Sequence, residues 1–356
     1  MVHISEILFF GGFITLITLF LVLDLGVFNK NNHIVSFKES IIWTSIWVVL
    51  SIGFYFIIKT HGELIHGIAN NDWDKLLAVK DKFQHPINFS HCTNFAEALV
   101  IYKNNLALEY LTGYLVEYSL SIDNVFVMVL IFSAFAVEKK YYKRVLFWGI
   151  IGALILRFLF IFLSAALIYQ FSWILYIFGV FLVFTGIKMF LSRNKEDKID
   201  SEHHPIVKFA SRFFRVYPTF VKEKFWIKEN GKYFITPLFI VLLVVEFSDL
   251  IFAVDSVPAI FSISKDPYIV FFSNIFAIIG LRSLFFLVVN IINLFHYLKT
   301  GLSVLLIFIG TKMLIHSWLE EIGFTTAHSL YVILGILITS ILASLAFPKK
   351  QKLELK

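Results

Sequence analysis

Long apolar runs constrain the fold of this chain more than any other feature. Several exceed about 18 residues, the length at which an α-helix can span a lipid bilayer. Of the 356 residues, 58% are hydrophobic and only 16% are charged, which is too apolar for a soluble chain of this length. Because the runs are continuous and do not alternate with polar residues, they exclude a transmembrane β-barrel. The sequence therefore predicts an all-α membrane protein.

We predict about nine transmembrane helices. Their approximate bounds are 6–28, 40–59, 113–135, 144–169, 171–191, 234–261, 268–297, 300–317 and 328–347. The first run is longer than the apolar core of a signal peptide, and Glu6 precedes it in place of basic residues. It therefore indicates a first transmembrane helix. Residues 94–112 have the pattern of an amphipathic lead-in to the third helix.

The distribution of basic residues predicts the orientation of the chain in the membrane. With the N-terminus outside and the C-terminus inside, the cytoplasmic segments carry 21 Lys and Arg and the outer segments carry 6. Basic residues are concentrated in cytoplasmic segments of membrane proteins, so this orientation is favoured.

The segments between the spans define the remaining organisation. We divide the chain into an N-terminal two-helix hairpin (1–59), an extracytoplasmic segment (60–112), a first repeat (113–191), a basic cytoplasmic linker (192–233), a second repeat (234–317), and a last span with a basic cytoplasmic tail (318–356). Asn230-Gly231, between aromatic and β-branched residues, predicts a small β-hairpin over residues 225–235. The outer segment holds irregularly spaced histidines, expected at the surface: His61, His66, His85 and His91.

An internal repeat relates two parts of the chain. Residues 117–125 match 249–257 at an offset of 132: each begins with an acid and ends with an acid, a small polar residue and valine. Arg157 matches Arg282 at an offset of 125, and residues 185–189 match 309–313 at an offset of 124. Each unit holds three spans, 3–5 and 6–8, so the two units have opposite orientations. This predicts the 3+3 inverted-topology repeat of secondary transporters, whose substrate sites lie near the midplane.

Carboxylates inside these apolar helices are the candidate functional groups. An unpaired charge at the bilayer centre costs about 2.5–3.5 kcal/mol, so such acids indicate function. Two deep arginines, Arg157 and Arg282, can balance two acids, whereas Lys188 and Lys312 can extend to the membrane surface. The other acids need a cation, protons or water. The carboxylates are Glu117, Asp123, Glu246, Asp249 and Asp255.

Neutral oxygens accompany these acids. Asn124 and Ser256 each follow an acid, and with the five carboxylates they form the predicted metal-binding set. Oxygen-only ligands suit Mg, Ca or Mn, whereas Zn and Cu prefer sulfur and nitrogen. Pro258 can kink or unwind the sixth span, which would let Asp249 and Asp255 converge. Glu246 has no acidic counterpart in the first unit, so it pairs with an arginine or carries a proton.

The acidic motifs resemble those of the TerC family of integral membrane proteins, and most closely its Alx-type manganese exporters. The matching stretches are 111–126 (LTGYLVEYSLSIDNVF), 173–179 (WILYIFG), 245–260 (VEFSDLIFAVDSVPAI), 266–267 (DP) and 274–282 (NIFAIIGLR). The resemblance covers nearly the whole chain. It implies a nine-span transporter of the bacterial inner membrane, related to the LysE-type superfamily, with the family's acidic positions on the five carboxylates above.

Three classes of function fit these features. The first is an exporter of divalent cations, Mn²⁺ first, in exchange for protons, with Ca²⁺ or another cation as the alternative cargo. The second is a membrane enzyme, which is disfavoured because no Gly-x-Ser-x-Gly or His-Glu-x-x-His motif is present. The third is an assembly or stress-resistance factor of the tellurium type, without transport. We expect no enzymatic activity, no cofactor and no nucleic-acid partner; the predicted partners are the metal ion and the bilayer.

Overall fold

The computed structural model describes residues 4–28, 35–171, 173–192, 214–291, 297–324 and 326–347. The predicted basic linker and C-terminal tail lie partly outside this description. The chain is mostly helical. The helices are α1 Ile4–Phe28, α2 Phe37–His61, α3 Trp73–Phe83, α4 Phe95–Ala134, α5 Tyr142–Gln170, α6 Ile174–Ser192, α7 Pro237–Phe261, α8 Pro267–Ile291, α9 Leu298–Leu314, α10 His316–Glu321 and α11 Thr326–Ala346. The strands are β1 Trp226–Glu229 and β2 Lys232–Ile235.

Six helices in the described residues are long and apolar enough to cross a membrane: α1, α2, α5, α7, α8 and α11. The prediction of a helical membrane protein is therefore confirmed. The other three predicted spans fall on α4, α6 and α9. Helix α4 is not among the six, and within the described residues the apolar parts of α6 and α9 are shorter, at Gly179–Leu191 and Thr300–Leu314. The number nine stays a prediction.

Helix α4 is one continuous helix of 40 residues. At a rise of about 1.5 Å per residue it is about 60 Å long, twice the thickness of the hydrocarbon core. Its first half therefore extends beyond the membrane, where the sequence predicted only a lead-in. The boundary that we placed at residue 112 falls inside this helix.

Residues 62–94 fold over the projecting half of α4, and we call them the cap. The cap begins with a short 3₁₀ helix, Gly62–Ile65, and contains α3. Asp72 starts α3 by accepting a hydrogen bond from the Lys75 backbone N–H at 3.0 Å, and Gln84 ends it with a positive φ of 51°. The cap is thus an ordered unit packed on the helices.

The predicted β-hairpin is confirmed. Strands β1 and β2 pair antiparallel, with Trp226 opposite Ile235 and Glu229 opposite Lys232. Asn230 and Gly231 have φ values of 49° and 76°. Two consecutive positive φ angles are what a tight two-residue hairpin turn requires, and Asn-Gly tolerates them best.

Helix α8 lies at the centre of the helices. In its apolar segment 89% of the residues are buried, whereas in the apolar segments of the other five candidate spans 11–41% of the residues are buried. Phenylalanines attach α1 and α2 to it: the ring centroid of Phe13 lies 5.3 Å from that of Phe54 and 4.5 Å from that of Phe272. The many aromatic residues of the sequence are therefore used largely for packing between helices.

Helices α6 and α9 pack closely through glycines. A Cβ on Gly186 would lie 2.9 Å from the carbonyl oxygen of Ser303, and a Cβ on Gly310 would lie 2.7 Å from that of Gly179. Going forward along α6 from Gly179 to Gly186, the contacts on α9 go backward from Gly310 to Ser303, so the two helices are antiparallel. Small residues allow this approach of two backbones in a membrane.

Replacing Gly310 with alanine should separate α6 from α9. The added Cβ would lie 2.8 Å from the Val183 backbone nitrogen, and backbone atoms cannot turn aside as a side chain can. Overpacking of this kind costs about 1–3 kcal/mol. We expect a lower melting temperature in detergent for Gly310→Ala. Gly335→Ala on α11 is the control, since nothing lies within 4 Å of its Cβ position. Equal melting of the two variants would contradict this packing.

Candidate functional site

The candidate site lies where α4 and α7 pack side by side. Asn124 Nδ2 on α4 donates a hydrogen bond to Asp249 Oδ1 on α7 at 3.4 Å. Further back along α4, a Cβ on Gly113 would lie 3.2 Å from Ile260 Cγ2 of α7. The two helices are therefore antiparallel, and this register places Glu117 at the level of Ser256. We call this line of contacts the α4–α7 seam.

Arg157 of α5 joins the acids of the two helices. Its Nε and Nη2 atoms donate to the Asp249 carboxylate at 3.3 and 3.2 Å, and its Nη1 atom donates to Ser256 Oγ at 3.1 Å. The Nη1 atom also forms an ion pair with Glu117. All three charged side chains are at most 2% exposed. Arg157 is thus the ion-pair partner of both Glu117 and Asp249.

This arrangement leaves a net negative charge at the centre of the seam. One guanidinium faces two carboxylates, and Glu117 Oε2 has no hydrogen-bond partner among the described residues. Buried ion pairs stabilise a structure only when the geometry satisfies every group. The incomplete pairing therefore indicates a site that can accept another positive charge.

Glu246 lies one turn before Asp249 on α7 and faces α5. Its carboxylate contacts Gly152 so closely that a Cβ there would overlap it. The Oε2 atom is buried without a hydrogen-bond partner in the described part of the chain. Because Arg157 bonds to Asp249 and not to Glu246, the predicted pairing of Glu246 with an arginine is not observed for Arg157. A buried carboxylate oxygen without a hydrogen-bond partner among the described residues is compatible with the second prediction, that Glu246 carries a proton.

Some of the predicted metal ligands are not described at side-chain level. Asp123 lies on α4 and Asp255 on α7, but their side chains are outside the description. Among the residues that are described, no three His, Cys, Asp or Glu side chains are arranged to hold a metal. The seven-residue metal site therefore stays a prediction, with Glu117, Asn124, Asp249 and Ser256 brought together by the structure.

The remaining basic residues of the spans are placed differently. Arg282 on α8 is buried, at 6% exposure. Lys188 on α6 is exposed, as predicted for a lysine that extends to the surface. Lys312 is partly buried, and its Nζ donates to the Ser262 carbonyl oxygen at 2.9 Å, so it fastens α9 to the end of α7.

The predicted break at Pro258 is wrong for this structure. Helix α7 continues from Pro237 through Pro258 to Phe261, so the proline lies in its last turn. Near a helix end, the lost hydrogen bond disturbs little of the helix beyond it. Asp249 therefore reaches Arg157 from a continuous helix, without local unwinding.

The sequence analysis missed a second buried polar cluster, between the cap and the helices. His66 and His85 were expected at the surface and are buried, whereas His61 and His91 are exposed as expected. Their irregular spacing gave no signal of burial. The one available hint was Glu109, two helical turns before Glu117 on what the structure shows to be the same helix.

Fold and site together define a class: an integral membrane protein of apolar helices that holds ion-paired acids between antiparallel helices. Within this class, the chain belongs to the TerC family of integral membrane proteins, whose family model matches residues 102–352. The matched range includes all five predicted carboxylates. The family that the acidic motifs indicated is thus confirmed.

Relatives cover nearly the full length of the chain. The chain is 42% identical to "Uncharacterized membrane protein STKORF319" of Myxococcus xanthus over 335 residues, and the aligned region covers 94% of this chain and 91% of the relative. It is 40% identical over 337 residues to "Putative membrane-bound redox modulator Alx" of Escherichia coli, spanning 93% and 92%. A membrane protein of Rickettsia felis is 38% identical over 335 residues. No solved structure matches this chain.

Proposed function

We propose that this protein is a transporter that moves divalent cations out of the cytoplasm, with Mn²⁺ as the first candidate and protons as the exchanged ion. The observation that carries the proposal is the Glu117–Arg157–Asp249 group, in which two acids on antiparallel helices share one guanidinium. Ionisable residues inside a membrane are costly and mark ion pathways. Their oxygen-only surroundings favour Mn, Ca or Mg over Zn or Cu.

Contacts between the predicted repeats support an inverted repeat. On α6, Gly186 contacts Ser303 of α9, and Gly179 contacts Gly310 of α9. At the repeat offset of 124, Gly186 is equivalent to Gly310 and Gly179 is equivalent to Ser303. The repeat therefore exchanges these two contacts. Helix α4 is antiparallel to α7, and α6 to α9. Phe158 meets Phe271, and Phe162 meets Tyr268, so α5 is also antiparallel to α8. Three antiparallel pairs are what two inverted three-helix units require.

We infer that Arg157 acts as the counter-ion that a cation displaces. Its guanidinium holds Glu117 and Asp249 in this structure. A divalent ion bound by these acids, with Asp123, Asp255, Asn124 and Ser256 contributing oxygens, would release the guanidinium. Glu246, without a hydrogen bond to one of its oxygens, would take up the proton that is exchanged. The LysE-type relationship and an outside N-terminus remain part of the same proposal.

Two other functions have less support. The single cysteine, Cys92, allows no intrachain disulfide, so the redox role in the name of the Alx relative has no dithiol basis within this chain. An assembly role without transport would use the acids only to hold helices together. That role gives no account of Glu246 Oε2, which is buried and has no hydrogen-bond partner among the described residues.

Transport in liposomes tests the proposal. Purified protein should move Mn²⁺ when a pH gradient is imposed, and a panel of Mn, Ca, Mg, Zn and Co would identify the preferred cation. Asp255→Asn should abolish transport while the protein still folds. An assembly role predicts the opposite for Asp123→Asn, with folding impaired and function spared. Failure to move any of these ions under either direction of the gradient would reject the proposal.

A further inference from the structure

The second polar cluster joins the cap to the membrane helices. His85 Nδ1 of the cap lies 2.9 Å from Glu109 Oε1 on α4, and His66 Nε2 lies 3.2 Å from Asp266 Oδ2 in the turn between α7 and α8. All four side chains are at most 4% exposed. Two histidine–carboxylate pairs therefore hold the cap against two different parts of the helical core.

Hydrogen bonds organise both acids. Glu109 accepts from Asn105 Nδ2 at 2.6 Å and from Ser264 Oγ at 2.5 Å. Asp266 accepts from the Tyr268 backbone N–H at 3.0 Å. Each histidine of the cap therefore faces a carboxylate that other donors hold in place.

The cluster lies on the same seam as the central site. The Glu109–Ser264 hydrogen bond continues the antiparallel register set by Gly113 with Ile260 and by Asn124 with Asp249. Glu109 precedes Glu117 by eight residues, or about 12 Å along α4. The cluster is thus the end of the seam on the cap side of the membrane.

Unpartnered polar groups occupy the level between the two clusters. Gly113 of α4 contacts Ser273 of α8. Tyr114 is the next residue after Gly113, and Asn274 is the next residue after Ser273. The Tyr114 hydroxyl and both polar atoms of the Asn274 side chain are buried without a hydrogen-bond partner among the described residues. Buried polar groups of this kind are where ordered water is found.

We propose that the His85–Glu109 and His66–Asp266 pairs form a second site, which binds protons and fastens the cap over the end of the seam while it is protonated. His85 Nε2 is the atom at which the proton adds and leaves, because it is buried and has no hydrogen-bond partner in the described part of the chain. When the site loses its proton to the water on the cap side, the ion pair is lost and the cap loosens.

The charged surroundings set the direction of the pH response. Burial alone lowers the pKa of His85, but Glu109, through charge and hydrogen bond, and the charge of Asp266 outweigh it and raise the pKa above its usual value of 6.5. Burial raises the pKa of Asp266, but His66, His85 and the Tyr268 N–H outweigh it and hold the pKa below its usual value. Two further ionisable groups interact by charge with this cluster: Tyr102 with Asp266 and Glu109, and Lys312 with Glu109; Glu63 interacts in turn with Tyr102.

The sign of the effect follows from these shifts. A histidine whose pKa is raised by folding contributes its full stabilisation below its unfolded pKa and loses it as the pH rises through the folded value. The depressed pKa of Asp266 keeps its own contribution intact until the pH becomes strongly acidic. The cap should therefore be held tightly at weakly acidic pH and released at alkaline pH.

Hydrogen–deuterium exchange on the full chain in lipid nanodiscs tests the proposal. Between pH 6 and pH 9, after correction for intrinsic exchange, protection of peptides from residues 66–92 should fall at least tenfold, while the membrane helices change little. In Glu109→Gln and His85→Gln the cap should be loosened already at pH 6 and show no further response. His91→Gln is the matched control, an exposed histidine of the same segment, and should behave as the wild type.

Clear outcomes would overturn the proposal. They are a wild-type cap that exchanges equally at both pH values, variants that keep the wild-type pH profile, and a loss of protection shared by every helix. If one variant does not accumulate, the other gives the same test. Only the link to the central site rests on the proposed transport function. A pH-responsive cap in a protein that moves no Mn²⁺ would reject the transport proposal and keep the proton site. A protein that moves Mn²⁺ but has a cap without a pH response would reject the proton site and keep the transport proposal.

Discussion

Arg157→Met should be the most destabilising single substitution at the central site. It leaves Glu117 and Asp249 buried with no positive charge between them. Removing one partner of a buried ion pair costs about 3–5 kcal/mol, because the remaining charge stays desolvated. We expect little folded protein in the membrane and a strongly lowered melting temperature, measured by size-exclusion of detergent extracts along a temperature series.

Neutralising all three side chains should reverse this loss. The triple variant Arg157→Met, Glu117→Gln, Asp249→Asn removes all three charges of this group, so melting should return close to that of the wild type while Mn²⁺ movement stays absent. Arg144→Met is the control on the same helix: its guanidinium is exposed and lies over the Phe225 ring at 5.1 Å. Arg157→Met protein that melts like the control would show that the central ion pairs do not stabilise the fold.

Glu246→Gln should have the largest effect on transport that leaves folding intact. Glutamine keeps the shape of the side chain but cannot take up or release a proton. Because one oxygen of the Glu246 carboxylate has no partner among the described residues, its charge stabilises no visible contact. We expect proton-driven Mn²⁺ movement in liposomes to fall more than tenfold, with an unchanged or slightly raised melting temperature.

Gly152→Ala tests the position of the same carboxylate without changing its chemistry. The added Cβ would overlap the Glu246 carboxylate and displace it, so transport should fall as in Glu246→Gln. Gly149→Ala is the matched control one turn earlier on α5, where the nearest atom to the Cβ position is Val245 Cγ1 at 3.5 Å. Wild-type pH dependence of transport in Glu246→Gln would eliminate Glu246 as the proton carrier.

Sequence reasoning predicted elements well where the signal is local. The apolar runs located the helices because an apolar segment in lipid must satisfy its backbone hydrogen bonds internally. Asn230-Gly231 located the hairpin because few residue pairs adopt two positive φ angles. The predicted break at Pro258 was wrong, because the effect of a proline depends on how much of the helix follows it. Here Pro258 lies in the last turn of α7.

The candidate site was predictable in part. The repeat placed Glu117 and Asp249 at equivalent positions, and Arg157 was expected to balance acids. Which acids Arg157 would bind depended on the register of α4 against α7, which is a property of packing. His66 and His85 could not be recognised at all, since their partners, Asp266 and Glu109, are distant in sequence and meet them only when the cap folds back.

By itself, the sequence determined that this chain is a helical membrane protein of the TerC family with acids inside its helices. Length, apolarity and motif are properties of the chain, and the bilayer leaves few alternatives for such segments. Only the tertiary structure decided that one guanidinium is shared by two acids, that α4 extends far beyond the membrane, and that a buried pair of histidines fastens the cap. These features depend on contacts between distant residues, whose distances are set by helix packing.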